Sequence, residues 1–134
     1  MADTVTSQTI QDDNRKAVLK FTNISDGTGE SAVTKIDVSA LTKNSGGDSC
    51  TEVAIAKIWW QCVGMGVELL NDATTDTLII ALSPDSNGMH DYSSFSAIPN
   101  DAGSGKTGDV KFTTIGASSG DTYTVILEVI KSYT

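Results

Sequence analysis

The chain is poor in proline and in aromatic residues, and it has no long apolar run. Its 134 residues include two prolines, three tyrosines, three phenylalanines and two tryptophans. The longest uninterrupted apolar stretches, such as residues 78–82, have the length of one strand, so the sequence predicts no membrane span. The first four residues contain no basic or apolar signal region, and we therefore expect a protein made without a secretory signal.

Basic residues are also scarce. Nine lysines and arginines stand against seventeen aspartates and glutamates, which gives a net charge of −8 and an isoelectric point near 4.3. Such a surface repels phosphate groups, so we expect neither a nucleic acid nor an anionic membrane as a partner. Most of the acidic residues are aspartates, which favour turns and caps, so the negative charge is expected mainly in loops.

The two cysteines, Cys50 and Cys62, lie in or beside one apolar segment. If this segment is a single strand, the twelve positions from one to the other span roughly 40 Å, far beyond the ~5.5 Å Cα separation of a disulfide. We therefore expect two free thiols in a protein assembled in a reducing cytosol.

The composition and patterning indicate strands from end to end. Serine and threonine number 32 and glycine 12, a mixture typical of strands joined by turns. The last strand alternates most clearly, with Val125, Leu127 and Val129 on one face and Glu128 on the other. The sequence predicts an all-β fold, a single-domain antiparallel β-sandwich of about seven to eight strands over residues 15–134. The predicted strands begin near Arg15 and continue at 32–40, 51–63, 67–70, 77–82, 110–115 and 123–131, while the long polar stretch 83–106 is either a functional loop or holds a short strand near Phe95.

The apolar segment 51–63 is the centre of the predicted fold. Its β-branched residues and tryptophan pair favour a strand, with a helix as the alternative. Strict alternation places on one face Ala54, Ala56, Ile58, Trp60 and Cys62, and on the other Val53, Ile55, Lys57, Trp59, Gln61 and Val63.

No motif in the chain specifies a reaction. The block Gly105-Lys106-Thr107 ends like a phosphate-binding loop, but the first glycine of that motif is missing and a strand follows instead of a helix. Ser49 ends a Gly-Asp-Ser block like that of some hydrolases, but His90 is the only histidine and lacks their aspartate three residues before it. One histidine and two distant cysteines do not make a zinc site, and calcium at the Asp-rich loops stays open. We expect no enzymatic activity and no cofactor.

Two regions outside the predicted core suit contacts with another protein. Trp59 lies between Lys57 and Gln61, a mixture typical of a contact surface, although burial under a second sheet is the alternative. Met89 and Tyr92 in the long polar stretch form a second candidate patch, with simple exposure to solvent as the alternative.

The N-terminal residues 1–14 are more polar than the rest of the chain. They include β-forming threonines but only two large apolar side chains after Met1, Val5 and Ile10. Because ordering the backbone costs ~1–2 kcal/mol per residue, this segment cannot bury enough area to order itself. We expect an N-terminal arm or edge strand that pairs with another subunit, with a frayed terminus as the alternative.

Several blocks of the chain resemble small virion structural proteins of tailed bacteriophages. The resemblance lies in residues 15–30 (RKAVLKFTNISDGTGE), 33–38 (VTKIDV), 58–62 (IWWQC) and the short C-terminal strand. It implies a β-rich protein that is made in the host cytoplasm and incorporated in many copies into the virion. Its partners would be other copies of itself, as a homo-oligomer, and a major virion protein.

Within this class we favour a capsid decoration, or cement, protein without enzymatic activity. A neck or tail structural protein of the virion is the alternative within the same class. A small glycan-binding β-sandwich module, using Trp59 and the loop around Tyr92, is the alternative from another class.

Overall fold

The computed structural model describes residues 3–133 as nine strands and two short 3₁₀ turns. The strands are β1 (Thr4–Asp12), β2 (Lys16–Ile24), β3 (Val33–Ile36), β4 (Glu52–Val63), β5 (Gly66–Asn71), β6 (Thr77–Leu82), β7 (Asn87–Asp91), β8 (Val110–Ile115) and β9 (Thr122–Ser132). The 3₁₀ turns are Val38–Ala40 and Ser93–Phe95. Within the described range, no helix is long and apolar enough to cross a membrane.

The strands form two antiparallel sheets that pack face to face. The five-stranded sheet has the order β1-β2-β9-β4-β7, and the four-stranded sheet has the order β3-β8-β5-β6. Their inner faces share one core, in which the ring of Phe112 meets Phe21 and Tyr123 edge-on at centroid distances of 5.3 and 5.8 Å. The predicted all-β antiparallel sandwich is therefore confirmed.

The sandwich has nine strands, whereas seven to eight were predicted. One additional strand is β1, for which the sequence predicted either an arm or an edge strand. The other is β7: the long polar stretch does hold a short strand, one of its two predicted alternatives, but this strand lies at Asn87–Asp91, and Phe95 belongs to a 3₁₀ turn. All five residues of β7 are exposed, so no alternation of polar and apolar side chains marks this strand in the sequence.

The strand predicted at 32–40 is shorter in the structure and ends at Ile36. The side chain of Asp37 accepts a hydrogen bond from the backbone N–H of Ser39 at 3.0 Å and so caps the first 3₁₀ turn. Val38 and Leu41 remain buried beyond this turn. Their apolar positions therefore belong to the core, but not to the strand.

A bulge in β4 changes which of its side chains face the core. The register of β4 with β9 shifts at Ala56. Val53 and Ile55 are consequently buried on the same side as Ile58, whereas strict alternation placed them with Trp59 on the opposite face. The predicted faces of β4 are thus wrong before the bulge and right after it.

The strand β4 runs uninterrupted from Glu52 to Val63, as predicted. Cys50 precedes this strand and Cys62 lies near its end, and both thiols are buried and free. Burial raises the pKa of Cys62 to about 11 and also raises that of Cys50. Both thiols are therefore protonated at neutral pH and poor nucleophiles.

The N-terminal segment forms the edge strand β1, which pairs antiparallel with β2 of the same chain. A contact of this segment with another subunit stays a prediction. The carboxylate of Asp3 accepts backbone hydrogen bonds from Asp26 at 3.1 Å and Gly29 at 3.2 Å, and that of Asp12 accepts one from Thr42 at 2.8 Å. Contacts within the chain therefore hold both ends of β1.

Candidate interaction surfaces

The side of the five-stranded sheet that points away from the core is the larger of the two candidate surfaces. We call it the outer face. In the centre of β9, Ile126 belongs to the outer face, because its neighbours Val125 and Leu127 are completely buried and point into the core. The register places Ile126 beside Trp59 of β4, and Trp59 in turn beside Met89 of β7. The structure thus brings two of the predicted contact residues, Trp59 and Met89, into one apolar row.

Around this row the outer face has a shallow depression and few acidic groups. The depression has a volume of about 140 Å³, and its lining comprises Trp59, Trp60, Gln61, Gly88, Thr124 and Ile126. Glu128 lies between Lys16 and Lys57, with N–O distances of 3.6 and 3.9 Å.

The charge of the outer face differs from that of the whole molecule. In register on β2, β9, β4 and β7 lie three lysines, Lys16, Lys20 and Lys57, and three acids, Glu52, Glu128 and Asp91, so that the charges balance. The whole chain carries −8, and most of its other acidic residues lie in turns and loops. The outer face is therefore apolar at its centre and nearly neutral.

A second surface is a row of aromatic rings at the β7 edge, which we call the aromatic row. The rings of Trp60 and His90 lie 4.9 Å apart, those of His90 and Tyr92 5.9 Å, and those of Tyr92 and Phe95 5.7 Å. The indole N–H of Trp60 donates to the hydroxyl of Ser86 at 3.1 Å, which fixes the first ring. Phe95 at the other end is 60% exposed.

The predicted patch of Met89 and Tyr92 is divided between these surfaces. Met89 pairs with Trp59 on the outer face, whereas His90 pairs with the buried Ile58 and so lies on the opposite side of β7, where its ring contacts Tyr92. The aromatic row is not visible in the sequence, because its rings come from β4, β7 and the following turn.

The remaining predicted contact residues, Val5 and Ile10, lie on β1 and not with Trp59. Val5 is 45% exposed and pairs with the buried Asn23, so it lies on the core side of the sheet. Ile10 is 52% exposed and occupies a bulge, since the register of β1 with β2 shifts between Thr9 and Gln11. These two residues mark the opposite edge of the sandwich.

The candidate chemical motifs take part in turns. Lys106 contacts Glu52 at 3.1 Å and the hydroxyl of Thr107 donates to Asp72 at 2.7 Å, and β8 follows them directly. In the Asp-rich loop before β7, the carboxylate of Asp85 accepts the backbone N–H of Gly64 at 2.8 Å. Among residues 3–133 there is no group of three or more histidine, cysteine, aspartate or glutamate side chains that could hold a metal ion.

Comparison of the chain with models of known protein families gives no match, and comparison with curated protein sequences gives none either. The resemblance to phage virion proteins therefore stays an expectation from the sequence blocks that carry it. The function has to be argued from the two surfaces, their charge and their exposed apolar groups.

Proposed function

We propose that the protein is a non-enzymatic structural component of a tailed-phage virion, and within that class a capsid decoration protein. The observation that carries the proposal is the outer face, with its apolar row of Ile126, Trp59 and Met89 on an otherwise acidic molecule. We assign the major shell protein as the occupant of this face.

The size of the outer face suits this role. Five strands spaced ~4.8 Å apart, with about eight residues each at ~3.3 Å, give an area of roughly 600 Å². A standard protein interface takes about 800 Å² from each partner, so this face and its rim supply most of one. Trp59 and Met89 belong to the residue types that are enriched at the centres of such interfaces.

The charge distribution supports a shell protein rather than a second copy as the occupant. Two copies that meet closely each bring a net charge of −8, and their acidic loops repel one another. Docked on a shell, the copies are held apart at fixed positions while their nearly neutral faces point inward. Other copies then act as neighbours in the assembled particle.

The aromatic row favours a second candidate function, a glycan-binding module. Aromatic rings can stack on the apolar faces of sugar rings, and Phe95 and His90 are exposed to such a ligand. The negative charge of the protein would select neutral glycans over acidic ones. In this case the ligand contacts the β7 edge and leaves the outer face free.

Immunogold labelling tests the proposal. An antibody raised against the purified protein is applied to intact phage particles purified from a culture in which the gene is expressed. Gold over the head supports capsid decoration, gold at the neck or tail supports the alternative virion role, and unlabelled particles contradict both. Binding of the purified protein to neutral polysaccharides, lost on Phe95→Ala, would favour the glycan module.

A further inference from the structure

A groove opens between the two sheets at the β1 edge. Its volume is about 180 Å³, and its floor consists of Leu19, Phe21, Ile36 and Leu41, all of which are buried. The wall on the β1 side consists of Ser7, Thr9 and Asp12. The groove exists because β1 extends the five-stranded sheet but places only short polar or acidic side chains above an apolar floor.

The groove is large enough for one apolar side chain. A cavity of about 150 Å³ lined by leucine, isoleucine and phenylalanine binds benzene in another protein, which sets the scale. The floor of the groove consists of the same kinds of side chain, and the groove is partly open to solvent. A leucine or phenylalanine side chain from outside could therefore occupy it.

The backbone N–H and C=O groups of Ser7 and Thr9 point away from β2, as the hydrogen bonding of β2 shows. Ser25 donates its N–H to the carbonyl of Asp121, and Lys131 donates its N–H to the carbonyl of Arg15, both across the β2–β9 side. The odd-numbered residues of β2 therefore bond to β9 and the even-numbered ones to β1.

The same alternation of hydrogen-bonding direction applies to β1, because its register with β2 is known. Thr4, Thr6 and Gln8 pair with even-numbered residues of β2 and bond to them, so the intervening residues direct their N–H and C=O groups outward. Two of these intervening residues are Ser7 and Thr9. The residues that line the groove thus also present the unpaired edge of the sheet.

Before the bulge at Ile10, this edge lacks the features that normally block strand addition. From Thr4 to Gln11 it contains no proline and no charged residue, and its one irregularity is the bulge at Ile10. The corresponding edge of the four-stranded sheet is β3, which has only four residues and carries Lys35.

We propose that β1 accepts an extended segment of a different protein, which pairs with the outward backbone of Ser7 and Thr9 and inserts one apolar side chain into the groove. A residue paired with Ser7 places its side chain on the same face of the extended sheet, directly above the groove. Backbone pairing supplies affinity and the groove selects the side chain, as in other cases of strand addition.

The charge around the groove selects a basic segment. Asp12, Lys35 and Asp37 border the groove; Asp12 is paired with Lys131 and Lys35 with Glu30, so the carboxylate of Asp37 and the net charge of −8 on the whole chain set the local field. A second copy is a poorer occupant, because it brings the same negative charge and its β1 has no large apolar residue between Val5 and Ile10. The inference concerns the groove alone and does not depend on the virion assignment.

The probe is a capped nine-residue peptide with a lysine at each end and threonine alternating with valine around a central phenylalanine. It is titrated into the full-length ¹⁵N-labelled protein, and we expect amide shifts concentrated at Val5, Ser7 and Thr9. Replacing the central phenylalanine by alanine should weaken binding about tenfold, since ~1.4 kcal/mol of apolar burial is lost. Shifts elsewhere only, or equal affinity for both peptides, would overturn the proposal.

Two variants separate the edge from the groove. Ser7→Pro removes the outward N–H and should abolish binding, whereas Ser7→Ala keeps it and should bind normally. Ala40→Phe fills the groove without changing β1, so this variant should bind the phenylalanine and alanine peptides with equal affinity. The matched Ala81→Phe on β6 should still prefer the phenylalanine peptide. Binding that persists unchanged in Ala40→Phe contradicts the insertion, and dimerisation through β1 without peptide contradicts the choice of occupant.

Discussion

The ammonium group of Lys131, whose side chain is completely buried, donates to the carboxylate of Asp12 and so joins the last strand to the first. Lys131 also donates to the carbonyl oxygens of Asp13 at 2.6 Å and Thr42 at 3.0 Å. Burial would lower the pKa of Lys131, but the hydrogen bond and charge of Asp12 outweigh it and raise that pKa. This one side chain holds together β1, the loop before β4 and β9.

Removing this ammonium group should destabilise the protein. Lys131→Met keeps the apolar stem but leaves the carboxylate and two carbonyls without their donor, and we expect a loss of about 2–3 kcal/mol in the free energy of unfolding. Lys20→Met on the outer face is the matched control and should change it by less than ~0.5 kcal/mol. Urea denaturation measures both, and equal midpoints for the two variants would contradict the role of Lys131.

Neighbouring residues of β9 test the register of the core. Leu127 is completely buried and Ile126 lies on the outer face, so Leu127→Ala should cost about 2–5 kcal/mol and Ile126→Ala less than ~1.5 kcal/mol. The thermal midpoints of the two variants give the comparison. A larger loss in Ile126→Ala would mean that the faces of β9 are reversed.

The stability should fall in acid because of Asp72. Hydrogen bonds from Lys111 at 2.6 Å and Thr107 at 2.7 Å hold the pKa of this carboxyl below its ordinary value of 3.8. A carboxyl with a lowered folded-state pKa contributes stability above its ordinary pKa, and that contribution is lost as the pH falls through the lower value. Asp109, whose pKa burial raises, acts in the opposite direction.

We therefore expect the wild-type free energy of unfolding to fall as the pH drops below about 4, and to fall less steeply in Asp72→Asn. Denaturant titrations at a series of pH values measure both slopes. Identical slopes for the two proteins would show that Asp72 does not contribute in this way.

Docking through the outer face can be tested with two matched substitutions. Met89 is 44% exposed on the outer face and Leu78 is 52% exposed on β6 of the other sheet. Met89→Asp should weaken attachment to particles that lack the protein by about tenfold or more, because it places a charge at the apolar centre, whereas Leu78→Asp should attach normally. Cosedimentation with such particles measures attachment, and the reverse ranking would assign the contact to the four-stranded sheet.

The sequence predicted those parts of the molecule whose side chains alternate without interruption. Val125, Leu127 and Val129 defined β9 because every second residue of this strand is buried. The faces of β4 could not be predicted across Ala56, since a bulge depends on pairing with β9 and leaves no mark in hydrophobic alternation. The burial of Lys131 also escaped prediction, because its partner Asp12 is 119 residues away in the chain.

Prediction of the candidate surfaces was limited for the same reason. Trp59 was identified as a contact candidate from its polar neighbours alone, but its position beside Met89 follows from a strand, β7, that has no apolar pattern. The groove behind Ser7 and Thr9 requires two sheets of unequal width. Such features arise from packing between distant segments and cannot be read from local sequence.

The central claim is that the protein is a component of the virion, and the copy number in purified particles tests it most directly. Quantitative mass spectrometry with isotope-labelled peptides compares this chain with the major shell protein in particles purified by density gradient. We predict a copy number comparable to that of the shell protein, as expected for a decoration protein. The absence of the chain from intact particles, with the shell protein detected in the same sample, would contradict the account.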